Sequence, residues 1–239
     1  MKYIYGPVKS RRLGLSLGIT LTPYKICSFD CIYCQLGVTK VKTIERKEYI
    51  PVQEIINELN LWLQNNSLKV GQLNYITLSG SGEPTLNTKI DRLITEIKKV
   101  TVVPIAVITN ASLLKMDSVR QALLNADLIV PSLDAATQEI FMRIDQPQEG
   151  MNIEEAINGL AQLRKEFRGK IWLEVMLVKG VNDDLRHIKK LREAIDLINP
   201  DKVQLNSPVR ITAQDNVLPT DTDKLEKIKE MLGDKCWII

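Results

Sequence analysis

Cys27, Cys31 and Cys34 fall within eight positions in "KICSFDCIYCQLG", and the fourth cysteine, Cys236, lies near the other end of the sequence. Three thiols cannot all pair into disulfides, and a closed tetrahedral zinc site takes four ligands. Thiolates also hold iron–sulfur clusters, whose cubane form takes four of them. Three clustered cysteines would leave one iron without a protein ligand, open to a small molecule. A zinc site would instead recruit Cys236 or His187, the only histidine. His187 sits at the edge of the apolar face of its helical pattern, which favours a structural role. Cys236 lies in "KCWII", which reads as a short buried strand with a core cysteine.

Other polar stretches interrupt an apolar pattern in the same manner. "SGSGEPTLN" places Gly80, Ser81, Gly82 and Glu83 together. Its glycines permit close backbone approach to a ligand, and a carboxylate such as Glu83 is favoured near a helix N-terminus in any case. Asn110 and Ser112 in "TNAS", and Ser132 and Asp134 in "PSLDA", are hydrogen-bonding groups at the ends of apolar runs. Each could cap a helix, and for Ser112 capping is the better reading. Gly180 and Asn182 in "KGVND" fit a turn almost as well as a ligand contact, and Asn206 closes the run "KVQLN".

The elements that must position these residues alternate. Strand candidates are residues 17–22, 74–79, 105–109, 127–133, 171–178 and 202–206, mostly continuous apolar runs, as expected for parallel strands covered on both faces. Between them lie amphipathic helical patterns. In "PVQEIINELNLWLQ", Pro51 suits a first helical position, and Val52, Ile55, Ile56, Leu59, Trp62 and Leu63 share one face. "NIEEAINGLAQLRKEF", "LRHIKKLREAIDLI" and "DKLEKIKEML" repeat the pattern. Six βα units predict an α/β protein with a parallel sheet, either a partial barrel or an open doubly wound sheet. Residues 1–239 read as a single domain without a linker. In both architectures ligands bind beyond the carboxyl ends of the strands, where all of these loops would gather.

Composition sets wide bounds. Apolar residues make up 44% and charged residues 26% of the chain, the balance of a soluble globular protein, and a net charge of +3 leaves an RNA or nucleotide substrate open without demanding one. No apolar run approaches the roughly 20 residues of a membrane helix. The start, "MKYIYGPVKSRR", has no apolar core of secretory length, so no signal peptide is read. Clustered cysteines suit a reducing, cytoplasmic setting.

The C-x3-C-x2-C spacing, with Tyr33 before the last cysteine, resembles the signature of the radical S-adenosylmethionine (SAM) superfamily. The resemblance implies a (β/α)6 partial barrel, a [4Fe–4S] cluster on Cys27, Cys31 and Cys34, and SAM chelating the fourth iron. It implies reductive cleavage of SAM to methionine and a 5′-deoxyadenosyl radical, which takes hydrogen from a substrate. "GSGEP" resembles the family's Gly-Gly-Glu-Pro motif with Ser81 replacing a glycine, so Gly80, Ser81, Gly82 and Glu83 fall to the methionyl amino group. Asn110, Ser132 and Asp134 fall to the ribose; Tyr33, and at lower grade Gly180, Asn182 and Asn206, fall to the rest of the cofactor site.

"GPVKSRRLGLSLG", "SLDAA" and "VQLNSPVR" together resemble a branch related to the wyosine-tRNA-synthesis enzymes. Those enzymes carry a second cluster, for which this chain lacks cysteines. The Asp-x-Lys pair of the glycyl-radical activating enzymes is also absent, since Asp134 is followed by Ala135 and Ala136. The substrate stays open among a nucleotide, a tRNA base and a protein residue. No flavin or nicotinamide fingerprint is present, so the electron is expected from a flavodoxin or ferredoxin. The alternative reading is an electron-transfer or scaffold protein, which has no use for ribose and amino-group loops. Arg11 and Arg12 are left over. Tandem arginines are usually a solvated pair, but a planar fork suits phosphate and carboxylate, so one of them is expected on an anionic group of the substrate.

Overall fold

The computed structural model describes residues 1–239. β1 (Ile4–Ser10) and β2 (Gly14–Thr20) pair as an antiparallel hairpin, and β2 opens a parallel series. A two-residue pairing of β3 (Ile26–Cys27) with β4 (Val41–Lys42) lies inside the cysteine loop. The parallel series continues through β5 (Tyr75–Ser79), β6 (Ile105–Thr109), β7 (Leu128–Pro131), β8 (Lys170–Met176), β9 (Lys202–Asn206) and β10 (Cys236–Ile238). Spatial order follows sequence order, β1-β2-β5-β6-β7-β8-β9-β10, so each crossover joins neighbours.

Helices fill the crossovers: α1 (Val52–Asn65) and α2 (Ser67–Val70) after β2, α3 (Ile90–Val100) after β5, and α4 (Asp117–Leu123) after β6. α5 (Gln138–Ile144) and α6 (Ile153–Glu166) follow β7, α7 (Leu185–Ile198) follows β8, and α8 (Thr222–Leu232) follows β9. This is the expected (β/α)6 partial barrel, extended by two edge strands. β10 was legible as a strand but is buried only at Cys236, since Trp237 is 57% exposed. β1 has no counterpart in the sequence reading because its side chains are mostly exposed and show no apolar run.

Helix boundaries follow local chemistry. Asn152 and Asp184 cap α6 and α7 by accepting from the backbone N–H of Glu154 and Arg186. α7 ends at Asn199, whose left-handed φ of +50° stops the helix. Pro51 stands one position earlier than expected, as the cap residue of α1. Its helix buries Val52, Ile55, Ile56, Leu59 and Trp62, each side chain contributing about 1.5–3 kcal/mol by leaving water.

The strands are not uniformly apolar. One face of each packs on the helices in a cluster of 57 buried residues, including Leu17 and Ile19 of β2, Ile76 and Leu78 of β5, and Val203 and Leu205 of β9. The alternate positions face the barrel interior, because side chains alternate along a strand. There β2 presents Ser16, Gly18 and Thr20, β5 presents Thr77 and Ser79, and β9 presents Gln204 and Asn206. The expectation of continuous apolar strands holds for β6 and β7, whose interior positions Ala106, Ile108, Leu128 and Val130 are apolar, and is corrected for β2, β5 and β9, whose interior positions are polar. One end is plugged by Leu13, from the β1–β2 turn, which packs on Ala106, Leu128 and Val130 in a separate small cluster.

Candidate functional site

The cysteine loop leaves β2 and is tied down on two sides. Toward β5, Lys25 N–H donates to Ser81 O at 2.6 Å and Glu83 N–H to Ile26 O at 3.2 Å, clasping the loop to "GSGEP". Toward α5, Asp30 and Ile32 donate to the carbonyls of Asp145 and Ile144, and Gln148 donates to Ser28 O. The Phe29 and Phe141 rings meet edge to face at 5.3 Å. The three thiols therefore hang on a segment braced by two other crossovers.

All three cysteines are half-buried and free. Burial, with the nearby Glu83, pushes the Cys27 thiol up to about 12. Burial also raises Cys31 well above the usual thiol range, with Asp145, Cys27, Asp134 and Cys34 adding to it. Cys27 and Cys31 thus need a cation to become thiolates. Two sulfurs have N–H donors: Lys25 Nζ lies 3.0 Å from Cys34 Sγ, and Asn110 Nδ2 lies 3.6 Å from Cys27 Sγ. Lys25 is only 2% exposed and Cys34 Sγ is its one side-chain hydrogen-bond partner. Cys31 Sγ lies 3.4 Å from Asp145 Oδ1.

The expected cofactor residues divide between two adjoining spaces. Tyr33, Gly80 and Asn206 line a cavity of about 440 Å³ together with Cys34, Arg11 and Arg12. Tyr33, Asn110, Ser132 and Asp134 line a narrow cleft beside it, so Tyr33 separates the two. Glu83 is turned away from both. It accepts from Thr85 N–H, Thr85 Oγ1, Thr109 Oγ1 and Asn110 N–H, while burial raises its carboxyl against the pull of these donors. It caps the turn Pro84–Leu86 and ties "GSGEP" to the end of β6.

The glycines serve the chain itself. A Cβ on Gly82 would lie 1.8 Å from Ile26 O, and one on Gly80, at φ +108°, would lie 2.7 Å from Thr20 Cα. The nearest neighbour is the backbone of Ile26 at Gly82 and the Thr20 side-chain hydroxyl, with its Cα just behind, at Gly80.

Asp134 is 2% exposed; its carboxylate accepts from Tyr33 Oη–H and, at 2.7 Å, from Met176 N–H. Burial pushes it up to about 7 against those two bonds. Asp145, buried and facing the charge of Asp134, stands well above the usual carboxylate range.

Ser112 does not cap a helix. Its hydroxyl pairs with Ser28 Oγ at 2.7 Å, and α4 starts five residues later behind Met116. Gly180 lines neither space; it sits in an exposed turn at φ +72°. Asn182, fully buried, donates to Asp134 O and Met176 O and accepts from Val178 N–H, which makes it a brace of the β7 and β8 ends. Arg12 forms an ion pair with Glu174 inside the barrel. Arg11 donates to Asn206 Oδ1 at 3.3 Å and to Ile239 O at 3.1 Å.

A family model described as the radical SAM superfamily matches residues 21–199. The chain belongs to the radical SAM superfamily. Within it, the chain falls among the UPF0026 proteins. UPF0026 protein MJ1312 of Methanocaldococcus jannaschii is 33% identical over 95% of this chain and 70% of its own length. UPF0026 protein slr1464 of Synechocystis is 36% identical over 87% of this chain and 76% of its own length. A 42% identical match covers 99% of this chain but only 34% of a Brachyspira hyodysenteriae protein named GTPase Obg, so the chain spans about a third of that relative. Among solved structures, a radical SAM methyltransferase from Sphaerobacter thermophilus superposes with a TM-score of 0.67 at 15% identity, covering 94% of this chain and 66% of that one. Streptococcus suis SuiB bound to S-adenosylmethionine gives 0.64 at 16% identity, covering 89% and 46%. At such identities these two speak for the fold.

The residues fit the [4Fe–4S] cluster and SAM that this superfamily uses. The donor set is three mutually close thiols, two of them under N–H donors, with the 440 Å³ cavity reaching Cys34. No three His, Cys, Asp or Glu side chains converge closely enough for a single metal ion. His187 is unsuited to metal: Nε2 accepts from Ala136 N–H at 3.0 Å and Nδ1 bonds Asn182 O at 2.8 Å. Cys236, raised to about 11 by burial, is part of the apolar core.

The ring of His187 is thereby held neutral. Burial lowers its pKa below 6.5, opposed only in part by the bond to Asn182. A lowered folded-state value means that the stabilisation is complete above about pH 6.5 and is lost as pH falls through the folded value. In His187→Gln the urea midpoint should drop relative to the parent at pH 7.5, and that gap should narrow at pH 5.5. A gap independent of pH would show that the ring is not held neutral.

Sequence reading missed Lys25, Asp145, Glu174 and Gln204. Glu174 left a signal, a carboxylate in the middle of the apolar run "IWLEVMLV", as did Gln204 in "KVQLN". Lys25 and Asp145 left none, because only the fold brings them to Cys34 and Cys31.

Proposed function

We propose that this radical SAM protein cleaves SAM reductively and uses the resulting radical on a nucleotide or RNA base. The observation that carries the reading is the clasp between the cysteine loop and "GSGEP", which sets Cys34 and Gly80 on the wall of one cavity. When bound, the cluster supplies the electron that breaks the sulfonium and frees a 5′-deoxyadenosyl group to take hydrogen from substrate.

This chain's own residues do the positioning. The Gly80–Gly82 backbone meets the methionyl amine, with Glu83 fixing the turn from behind. Asn110 and Ser132 meet the ribose. Asp134, both of whose oxygens are engaged, orients Tyr33 and the β8 end in place of touching the diol itself. Tyr33 and Asn206 flank the cofactor across the cavity, and Gly180 shapes the neighbouring turn. Lys25 donates to the Cys34 sulfur, and such donors raise the potential of a cluster.

The class fits an oxidoreductase or lyase working in the cytoplasm, with a flavodoxin or ferredoxin supplying the electron. The choice of a nucleotide or RNA base rests on the likeness of the outer segments to the wyosine-tRNA branch. Two more distant relatives bear compatible names, a GTP 3′,8-cyclase and an RNA methyltransferase, at 26% and 23% identity. No helix is long and apolar enough to cross a membrane.

The test is product analysis. Anaerobically reconstituted protein reduced with dithionite, or with flavodoxin and its reductase, should convert SAM to equal amounts of 5′-deoxyadenosine and methionine. Nicotinamide alone should not drive the reaction. Intact cluster with no 5′-deoxyadenosine would return the protein to the electron-carrier reading.

A further inference from the structure

Four cations border the 440 Å³ cavity, Lys9, Arg11, Arg12 and Arg210, against one carboxylate, Glu174. All four lie outside residues 21–199, the part matched by the superfamily, so the shared cofactor chemistry does not account for them. The cations are not equivalent. Arg12 is neutralised by Glu174, which is 7% exposed. Arg210 is held by a neutral partner, Gln35 Oε1 at 3.0 Å, and Arg11 by Asn206 Oδ1 and by the oxygen of Ile239, the last residue of the sequence. Each keeps several N–H groups of its fork unspent. Gln204, on the same face of β9 as Asn206, is fully buried with neither amide atom hydrogen-bonded. Like-signed groups in a cleft with low-dielectric walls focus a field that draws anions, and a guanidinium fork matches the oxygens of phosphate.

We propose that Arg11 and Arg210, with Lys9, form an anion subsite that holds a phosphate group of the substrate. Arg12 is kept out of the subsite by Glu174, and the ion pair instead fixes the β1–β2 turn within the barrel. The subsite borders the same cavity as Cys34 and Gly80, with Arg210 bonded to Gln35 next to Cys34, so a phosphate anchored there keeps the rest of a nucleotide within the cavity that the cofactor site shares. The inference rests on the radical SAM reading for its substrate but not for its anion chemistry.

The probe is inorganic pyrophosphate, titrated calorimetrically into cluster-loaded protein with SAM bound. The parent should bind it at one site, more tightly at low salt. Arg11→Gln and Arg210→Gln should each weaken binding about tenfold or more, the loss of a charge-assisted pair. Glu174→Gln frees Arg12 and should tighten binding, a change of sign that a merely structural role does not produce. Adenosine 5′-monophosphate and a short RNA oligonucleotide, titrated in turn, separate a free nucleotide from a polymer. The proposal fails if the parent binds no pyrophosphate or if both arginine variants bind it unchanged. It also fails if they lose SAM affinity by the same factor, since the cations would then serve the cofactor's own carboxylate. The cleavage assay remains separate: pyrophosphate binding without 5′-deoxyadenosine would overturn the radical reading and leave the subsite standing.

Discussion

Replacing Cys27, Cys31 or Cys34 singly by Ala is expected to abolish both the cluster and SAM cleavage, while Cys236→Ala leaves them intact. Reconstituted parent protein should hold about four iron and about four sulfide per chain, the content of one cubane. Three thiolates are the fewest that leave one iron open, and each sits in its own setting: Cys27 beside Asn110, Cys31 beside Asp145, Cys34 beside Lys25. None has a spare cysteine nearby to replace it. Cys236, 3% exposed on β10, packs in the apolar core. Its loss removes one small buried side chain and should lower stability modestly without touching iron content. The measurement is iron and sulfide analysis with electron paramagnetic resonance of the reduced protein. Loss of iron in Cys236→Ala would overturn the three-cysteine, open-iron arrangement.

Gly82→Ala should damage cofactor assembly nearly as much, with a single methyl group that removes no thiol. The added carbon would meet Ile26 O at 1.8 Å and Thr22 Oγ1 at 2.8 Å. Ile26 O is backbone, it accepts from Glu83 N–H, and it immediately precedes Cys27, so relief requires the cysteine loop and the glycine loop to part. Overpacking of this kind costs about 1–3 kcal/mol, which for a chain of this size lowers the melting temperature by about 2–12 °C. Iron content and SAM affinity should fall together, because one clasp carries both. Gly71→Ala is the control: its backbone is right-handed helical and an added Cβ meets nothing within 4 Å, so it should be neutral or slightly stabilising. A Gly82→Ala protein with full iron content and a parental melting curve would show that the clasp yields easily.

The sequence by itself determined the close spacing of three cysteines, the six βα units and the gathering of the polar loops at one end. These depend on local chemistry and on periodicity, both of which are written along the chain. Thiol spacing is a property of eight consecutive residues, and the apolar stripes of α1, α6 and α7 repeat at the helical period. The alternation of strands with helices then forces a parallel sheet whose carboxyl ends share one mouth. The tertiary structure decided the rest. Gly82 looked like a ligand-facing glycine, but only the fold shows that Ile26 O occupies the space a side chain would need. Asp134 and Ser112 had the right chemistry for a diol and a helix cap. Their partners Tyr33, Met176 and Ser28 are distant in sequence, and hydrogen bonds at such separations have no local signature. The polar interior positions of β2, β5 and β9 were hidden because apolar residues dominate the composition of those strands. The paired arginines illustrate the same division: they are neighbours with identical chemistry, yet Arg12 meets Glu174 of β8 and Arg11 meets Asn206 of β9. Which of the two keeps a charge for a ligand depends on strands that come together only when the barrel curls.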